Sequence, residues 1–358
     1  MSDTLPTVWE AEPHTLAKHG ILKSYLDAWA AILSNQPYGA ELLFVDGFAG
    51  PGEYVKGEPG SPLVALNSIL DHSRTLPKKI RFKFIELDQK RHAHLVARLA
   101  QDNGRIASNE RVVVDPPIRG DCEVEIGRLI AERKQRRQTL GPALFFLDQF
   151  GYSQVPMSLV CAIMAEQQCE IFSYLNCQRM NTYLGDQTKW VGITQAYGDE
   201  SWKPAINMTG DARQEFLIST YMSAIRKYAK TNNVWSFAMF DSGGHLIHWL
   251  VFATNHWKGL YEMKKAMWSA DKKGEYRYSD RVEGIGQQSF LSMLGDDELA
   301  EELANELAGQ TLSEQQVSDF VLTNTPFYNF KDQVNRLRAS NRAAPRKRGQ
   351  WPVTFASK

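Results

Sequence analysis

Cysteine is scarce in this chain, and the few cysteines do not form a redox or zinc motif. The sequence of 358 residues contains 4 cysteines, none of them in Cys-x-x-Cys spacing. No apolar run is long enough to span a bilayer, and no basic segment followed by an apolar one opens the chain. These absences predict a cytoplasmic protein with free thiols and without a membrane span or secretory leader.

An excess of charge of either sign is also missing. The chain has 41 Lys and Arg residues against 41 Asp and Glu residues, which excludes a uniformly basic nucleic-acid coat. Hydrophobic residues make up 43% of the sequence, an ordinary fraction for a soluble globular protein. The length predicts one large domain and a small one.

The most informative stretch is residues 42–52, which read Leu-Leu-Phe-Val-Asp-Gly-Phe-Ala-Gly-Pro-Gly. Its apolar run predicts a strand buried on both faces, as in a parallel sheet. The glycines after it allow a sharp turn that brings backbone N–H groups close to a ligand. Asp46 lies at the carboxyl end of the strand, where open α/β sheets bind ligands. The stretch therefore predicts a site for a nucleotide-like cofactor.

Strands and helices alternate along much of the chain. After a helix at 14–34, strands are predicted at 41–46, 81–88, 112–114, 143–148 and 170–175, with helices between them. This alternation predicts an α/β protein with a parallel sheet and helices on both faces. Two further apolar runs within 234–253 flank Asp-Ser-Gly-Gly, which predicts a closing antiparallel hairpin.

We expect two domains, at residues 1–275 and 285–358. The first contains an irregular insertion at 176–232, which forms either a wall of the substrate site or a packed cap. Residues 272–295 are polar and contain glycine, so the boundary is placed there. Three short helical patterns and a final β element predict a small winged-helix-like α+β domain after it.

The last residues of the chain are basic. Arg346, Lys347 and Arg348 follow one another between two prolines. Such a cluster can hold the phosphates of DNA or RNA. The alternatives are a solvated tail and a protein-docking surface.

Acidic residues follow four of the predicted strands, and they should meet at one edge of the sheet. They are Asp46, Glu86, Asp121 (one loop beyond its strand) and Asp148. The glycine spacing differs from the Gly-x-Gly-x-x-Gly of NAD-binding proteins, and no Gly-Lys-Ser/Thr follows, which excludes a P-loop. Lys18 in the first helix is either solvent-exposed or a cation near a bound carboxylate.

With these features the chain resembles class I S-adenosylmethionine-dependent methyltransferases, a Rossmann-like fold with a closing antiparallel hairpin. The segment from Asp46 to Gly52 looks like their first motif, whose glycine turn passes under the amino-acid part of the cofactor. The resemblance implies that Glu86 binds the ribose hydroxyls and that Asp121 meets the adenine amino group. A carboxylate suits the ribose because charge-assisted hydrogen bonds to hydroxyls are strong.

More narrowly, the chain is similar to the three-Cys-motif partner protein family. The motifs that carry this resemblance are Lys18-His19-x-Ile21-Leu22, residues 44–52 with Gly60-Ser61-Pro62, Phe146-Leu147-Asp148-x-Phe150-Gly151, and residues 250–256 with Met267-Trp268. The resemblance implies a separate iron–sulfur partner that holds the three cysteines. In this chain Cys161, Cys169 and Cys177 are too widely spaced for one metal loop, so we expect ordinary buried thiols and no metal ligands.

The fourth strand ends in Asp148-Gln149-Phe150-Gly151-Tyr152. Methyltransferases that act on exocyclic amines of bases carry Asp/Asn-Pro-Pro-aromatic here, and the similar family usually has Asp-Pro-Phe-Gly. In this chain Gln149 replaces the proline that stiffens the turn. The resemblance implies that Asp148, with Phe150 or Tyr152, orients a substrate amine. The alternative is that Asp148 is a structural or cofactor-side acid.

The sequence therefore predicts a methyltransferase-like protein that binds S-adenosylmethionine and acts on a nucleobase or nucleotide amine together with the iron–sulfur partner. One alternative is different chemistry shared with that partner, and another is a catalytically silent subunit for docking or nucleic-acid binding. The expected cofactor-binding residues are Lys18, Asp46, Gly47, Phe48, Gly50, Gly52, Ser61, Glu86, Leu87, Asp121, Cys122 and Asp148.

Overall fold

The computed structural model describes residues 6–271, 277–279, 298–344 and 351–357. The strands are Glu41–Asp46 (β1), Lys79–Glu86 (β2), Val112–Val114 (β3), Ile118–Arg119 (β4), Ala143–Leu147 (β5), Cys169–Leu175 (β6), Asn233–Phe240 (β7), Leu246–Thr254 (β8), Arg277–Ser279 (β9), Thr311–Leu312 (β10) and Val353–Thr354 (β11).

The α-helices are Pro13–Leu33 (α1), Ser61–Leu70 (α2), Gln89–Gln101 (α3), Asn103–Ala107 (α4), Cys122–Gln135 (α5), Met157–Met164 (α6), Cys177–Tyr183 (α7), Trp190–Tyr197 (α8), Gly210–Ala229 (α9), Trp257–Ala270 (α10), residues 298–306 (α11), Glu314–Asn324 (α12) and Lys331–Ala339 (α13). Two 3₁₀ helices lie at Gln187–Lys189 and Lys203–Asn207.

The main sheet has the order β3-β2-β1-β5-β6-β8-β7-β9, and β4 pairs with β2. β1 pairs in parallel with both β2 and β5, whereas β8 runs antiparallel to β6 and β7. This order, with the hairpin β7–β8 closing the sheet, confirms the Rossmann-like methyltransferase fold. β1 is the strand at which the order reverses, and such a switch point is where ligands bind in open α/β sheets.

Alternating side chains of β1 pack into two hydrophobic cores, one on each face of the sheet. Leu42 and Phe44 lie with α1, α2 and α10 on one face, and Leu43 and Val45 lie with α5, α6 and α9 on the other. All four side chains are buried. The sheet is therefore covered on both sides, which explains the unbroken apolar run in the sequence.

The insertion at 176–232 is packed rather than extended into solvent. Tyr197 and Trp202 are fully buried, and the Tyr197 hydroxyl donates to the Leu217 carbonyl at 3.0 Å. The insertion therefore forms a layer over the second face of the sheet. Its first residues also reach the cleft that is described below.

The carboxyl-terminal part contains the three helices and the β element that were expected of a winged-helix-like unit. α11, α12 and α13 surround their own core, and β10 pairs with β11 in antiparallel fashion. The strand β9, which pairs with β7, was not expected, because its three residues fall in a polar segment. Most of the proposed boundary at 272–295 lies outside the described residues, so the domain limits stay a prediction.

Lys264 of α10 connects the main sheet to the carboxyl-terminal helices through a buried side chain. The ammonium donates to the carbonyl oxygens of Val321, Thr325 and Phe327, and it lies 3.6 Å from the centre of the Trp235 ring. A buried ammonium needs such partners, because desolvation without them is costly. The carbonyl groups lie at the end of α12 and just after it, so Lys264 holds that end against the main sheet.

Replacing Lys264 with methionine should destabilise the protein. The substitution leaves three carbonyl oxygens without this donor and removes the cation–π contact, so we expect the free energy of unfolding to fall by about 1–3 kcal/mol. Denaturant unfolding followed by tryptophan fluorescence measures the change. Lys265→Met, at an exposed position of the same helix, is the matched control. Equal unfolding midpoints for the two variants would contradict this role.

Candidate functional site

A cleft of about 830 Å³, open to solvent, lies at the carboxyl ends of β1, β5 and β6. It is formed by the segment before α1, one side of α1, the glycine turn and the residues that follow β5 and β6. Its walls include Trp9, His14, Lys18, Phe48, Gly50, Gly52, Tyr54, Ser61, Asp148, Gln149, Phe150, Tyr174, Asn176 and Arg179. The structure thus brings six of the predicted cofactor residues together in one place.

The glycine turn needs glycine for two different reasons. Gly50 and Gly52 have φ angles of 63° and 91°, in the left-handed region that side chains disfavour. Gly47 has no room for a side chain, because a Cβ there would lie 2.6 Å from the Cys122 Sγ. The turn is also closed by a hydrogen bond of 2.7 Å from the Gly60 N–H to the Gly52 carbonyl.

Glu86 at the end of β2 holds the glycine turn from below. Its side chain is buried, and its Oε2 accepts the Gly50 N–H at 2.8 Å while its Oε1 accepts the Asp88 N–H at 2.7 Å. Each carboxylate oxygen keeps a second lone pair, so further hydroxyl donors can still bind. Glu86 is placed beside the cleft rather than in its wall, and its role toward ribose stays a prediction.

Asp46 is fully buried under the turn. Its Oδ1 accepts the Phe48 N–H at 3.1 Å, and its Oδ2 has no hydrogen-bond partner among the described residues. Burial raises the pKa of this carboxyl to about 7, and the charges of Asp148 and Glu86 add to the rise, whereas Ser61 and the Phe48 N–H oppose it. An unpartnered buried oxygen is a place where a ligand donor would be stabilising.

Lys18 is buried, so the expectation of solvent exposure is wrong. Its ammonium forms an ion pair with Asp148 Oδ2, and it lies 5.4 Å from the centre of the Tyr174 ring. The helix α1 can supply this cation because Lys18 and His14 are one turn apart and both line the cleft. A residue predicted for the cofactor therefore contacts the residue predicted to orient the substrate.

Gln149 restrains the turn after Asp148 through its side chain. Its side chain is buried, with Nε2 donating to the Tyr174 carbonyl at 3.1 Å. Its Oε1 accepts the N–H groups of Gln154 at 3.0 Å and Val155 at 3.2 Å. These three hydrogen bonds fix the turn directly after Asp148, so the departure from the motif does not leave the turn loose.

The two aromatic candidates after Gln149 are placed differently. Phe150 lines the cleft and is 40% exposed, and its ring centre lies 5.8 Å from that of Trp9. Tyr152 instead packs against Tyr183 of α7, with ring centres 5.3 Å apart, and it does not line the cleft. Phe150 is thus the better placed of the two to contact a substrate.

Besides Asp46, Gly47 and Glu86, three more of the predicted cofactor residues do not line the cleft. Leu87 is 59% exposed, and the Asp121 carboxylate caps α5 by accepting the Val124 N–H at 3.2 Å. Cys122 is buried behind Gly47. All three lie near the ends of β2 and β4 or the start of α5, on the other side of the glycine turn. Their roles toward the cofactor, including that of Asp121 toward the adenine amino group, stay predictions.

Several residues in or next to the cleft were not predicted from the sequence. Trp9 precedes the first helix, and its carbonyl accepts the Val55 N–H at 3.0 Å, which ties the amino-terminal segment to the loop after the glycines. Arg91 lies 5.1 Å from the Trp9 ring centre and 5.3 Å from that of Phe150. Tyr174 could have been found, because it lies near the end of β6, where strand-end residues reach the same edge.

The cysteines of the described residues give no sign of a metal site. Cys169 is buried, whereas Cys161 is half-buried rather than buried as expected, and the side chain of Cys177 lies outside the described residues. Within the ranges given above, no three His, Cys, Asp or Glu side chains come together as metal ligands. Nor does any helix of those ranges have the length and apolar character needed to cross a membrane.

No family model matches the chain, and no curated protein matches it. Among solved structures it is similar to a DUF574 family protein from Streptomyces avermitilis, with 8% identity, a TM-score of 0.31, and 67% of this chain and 83% of that chain covered. It is also similar to a protein from Pyrococcus horikoshii provisionally described as a transferase, with 10% identity, a TM-score of 0.25, and 63% and 62% covered. Likeness at this level carries no argument, and the fold assignment rests on the strand order.

The buried Asp46 should make stability depend on pH in a specific way. Its pKa is raised from 3.8 to about 7, so the folded protein holds a proton that the unfolded chain releases in that interval. The contribution of Asp46 to stability is therefore present at low pH and lost as the pH rises toward 7. Without added ligand, the stability of the wild type relative to Asp46→Asn should fall across this interval. A pH-independent difference in unfolding free energy would contradict the assignment.

Replacing Gln149 with leucine should loosen the turn after β5. The variant leaves one carbonyl and two N–H groups without their side-chain partner, and we expect a loss of about 1–3 kcal/mol in unfolding free energy. Denaturant unfolding measures it, with Gln101→Leu, at an exposed position at the end of α3, as control. If both variants unfold at the same midpoint, the three hydrogen bonds are not the restraint.

Proposed function

We propose that this protein is a methyltransferase that uses S-adenosylmethionine. The observation that carries the proposal is the set of groups around the glycine turn at the switch point of the sheet. There Glu86 holds the Gly50 N–H, and Asp46 offers a buried oxygen without a partner among the described residues. The fold supports the same conclusion, although many chemistries share it.

The residues present fit this cofactor. The ammonium of its amino-acid part would donate a hydrogen bond to the unpartnered Oδ2 of Asp46. Its ribose hydroxyls would donate to the free lone pairs of the Glu86 carboxylate. When bound, the cofactor supplies an electrophilic methyl group. The contribution of Gly50 and Gly52 is a backbone that can approach the ligand closely, since no side chain intervenes.

The substrate that we propose is an amine of a nucleobase or nucleotide. Lys18 contacts Oδ2 of Asp148, which leaves Oδ1 to accept a hydrogen bond from the amine and so to orient its lone pair. Phe150 offers a partly exposed ring on which a base can stack, and Arg179 stands in the wall of the same cleft. The protein would act by positioning and by excluding water rather than by covalent chemistry.

The wider proposal includes an iron–sulfur three-Cys-motif partner, which rests on the sequence resemblance. Contact of DNA or RNA with Arg346, Lys347 and Arg348 is part of it, but these residues lie outside the described ranges. The second candidate, a catalytically silent subunit, is favoured by one observation. The ion pair between Lys18 and Oδ2 of Asp148 is a structural contact that a silent site would also keep.

Calorimetry with S-adenosylmethionine and transfer of labelled methyl groups to bulk DNA and RNA test the proposal. The assays are run with and without the iron–sulfur partner. We expect binding by the wild type, and binding weakened at least about tenfold in Glu86→Gln, since a charged hydrogen-bond acceptor is lost. Asp148→Asn should keep cofactor binding within a few-fold and lose most methyl transfer, because its group acts on the substrate.

Three outcomes would contradict these assignments. If the wild type does not bind S-adenosylmethionine, the methyltransferase proposal is wrong and the catalytically silent subunit is favoured. If the protein binds the cofactor but transfers no methyl group to DNA or RNA in the presence of the partner, the proposed nucleobase substrate is wrong. Equal transfer by Asp148→Asn and wild type would remove Asp148 from the mechanism.

A further inference from the structure

A second pocket lies at the opposite edge of the sheet from the glycine turn. It is formed between α1 and α10, over the start of β6 and the end of β8, and it encloses about 830 Å³ including its mouth. Its walls are largely apolar and aromatic, with Trp29, Ile32, Leu33, Tyr38 and Pro142 among them. We call it the α1–α10 pocket. Its size is in the range of small-molecule sites.

Among the polar and charged residues that line the α1–α10 pocket, Glu170 is the one with a buried carboxyl group. Its Oε2 accepts the Tyr25 hydroxyl at 2.6 Å, and its Oε1 accepts the Thr254 hydroxyl at 2.7 Å. No basic side chain of the described residues lies within ion-pair distance of it. A buried carboxylate without a cation is costly, and the side chains of Tyr25, Thr254 and Trp29 only partly offset its desolvation.

The neighbouring charges do not compensate Glu170. Glu262 also lines the pocket, but it is paired with Lys258, whose ammonium lies 3.0 Å from its Oε1. Burial raises the pKa of the Glu170 carboxyl, and among the described residues that line the pocket no cation is left to stabilise its ionised form. Gly259 borders the carboxylate so closely that a Cβ there would lie 2.2 Å from Oε1. Glycine at this position therefore lets α10 pack closely against Glu170 and Thr254.

We propose that the α1–α10 pocket binds a small organic cation with a flat apolar body, such as an arylalkylamine. The ammonium takes the second lone pairs of the Glu170 carboxylate. The body lies against Trp29 and the aliphatic side chains of Ile32 and Leu33, where its burial is favourable. This inference is independent of the methyltransferase proposal, because the two sites share no residue.

Calorimetry with two matched probes on the full chain tests the proposal. Tryptamine carries the ammonium, and tryptophol has the same ring and chain length with a hydroxyl in its place. We expect saturable one-to-one binding of tryptamine, at least about tenfold tighter than that of tryptophol. Glu170→Gln keeps the shape and one of the two acceptor oxygens but removes the charge, so it should abolish this preference.

Three further variants locate the binding. Leu33→Trp fills the α1–α10 pocket from its wall and should remove binding of both probes. Lys265→Met, on the exposed side of α10, should change neither affinity. Phe150→Ala, in the cleft at the other edge, should also leave tryptamine binding intact. If Leu33→Trp does not fold, Glu170→Gln with the two probes still decides the question.

The proposal is overturned by any of four results. They are the absence of saturable tryptamine binding, equal affinities for the two probes, an unchanged preference in Glu170→Gln, and loss of binding in Phe150→Ala. The thermal unfolding midpoint of each unliganded variant shows that a loss of binding is not a loss of fold. With no binding at all, Glu170 is a structural acceptor for Tyr25 and Thr254 only.

Discussion

The shape of the cleft depends on one hydrogen bond between neighbouring strands. The N–H of Gly50, in a left-handed conformation after β1, donates to the carboxylate of Glu86 at the end of β2 at 2.8 Å. The bond is charge-assisted and buried, which makes it stronger than a bond between neutral groups. The second oxygen of Glu86 fixes the Asp88 N–H. A ligand that shares these lone pairs would therefore act on the glycine turn and on the start of α3 together.

The helix α1 is the second organising element, because it reaches both edges of the sheet. Lys18 near its start contacts Asp148 in the cleft, while Tyr25 two turns later donates to Glu170 in the α1–α10 pocket. Seven residues of helix correspond to roughly 10 Å, so one rigid element carries donors to two separate carboxylates. A change in the position of α1 would alter both sites, which offers a physical route for coupling between them.

Most of the sheet could be predicted from the sequence, because strand periodicity, glycine turns and the hairpin are local signals. The strand-end rule also placed Asp46 and Asp148 at one edge, and the structure brings Lys18 to Asp148. The contribution of Trp9 could not be predicted, since it depends on a backbone hydrogen bond to a distant loop. The short β9 was missed because three residues carry too little periodicity to distinguish a strand from a polar linker.

The turn after β5 shows that two different residue types can restrain the backbone at the same position of a motif. Proline restrains a turn by fixing its own φ angle, independently of its neighbours. Gln149 restrains the turn by hydrogen bonds, and one of them goes to the carbonyl of Tyr174, a residue whose side chain lines the cleft. The orientation of Asp148 is therefore linked to β6 in this chain. A substrate that contacts Tyr174 would act on the acid through Gln149, a coupling that a proline at this position would not transmit.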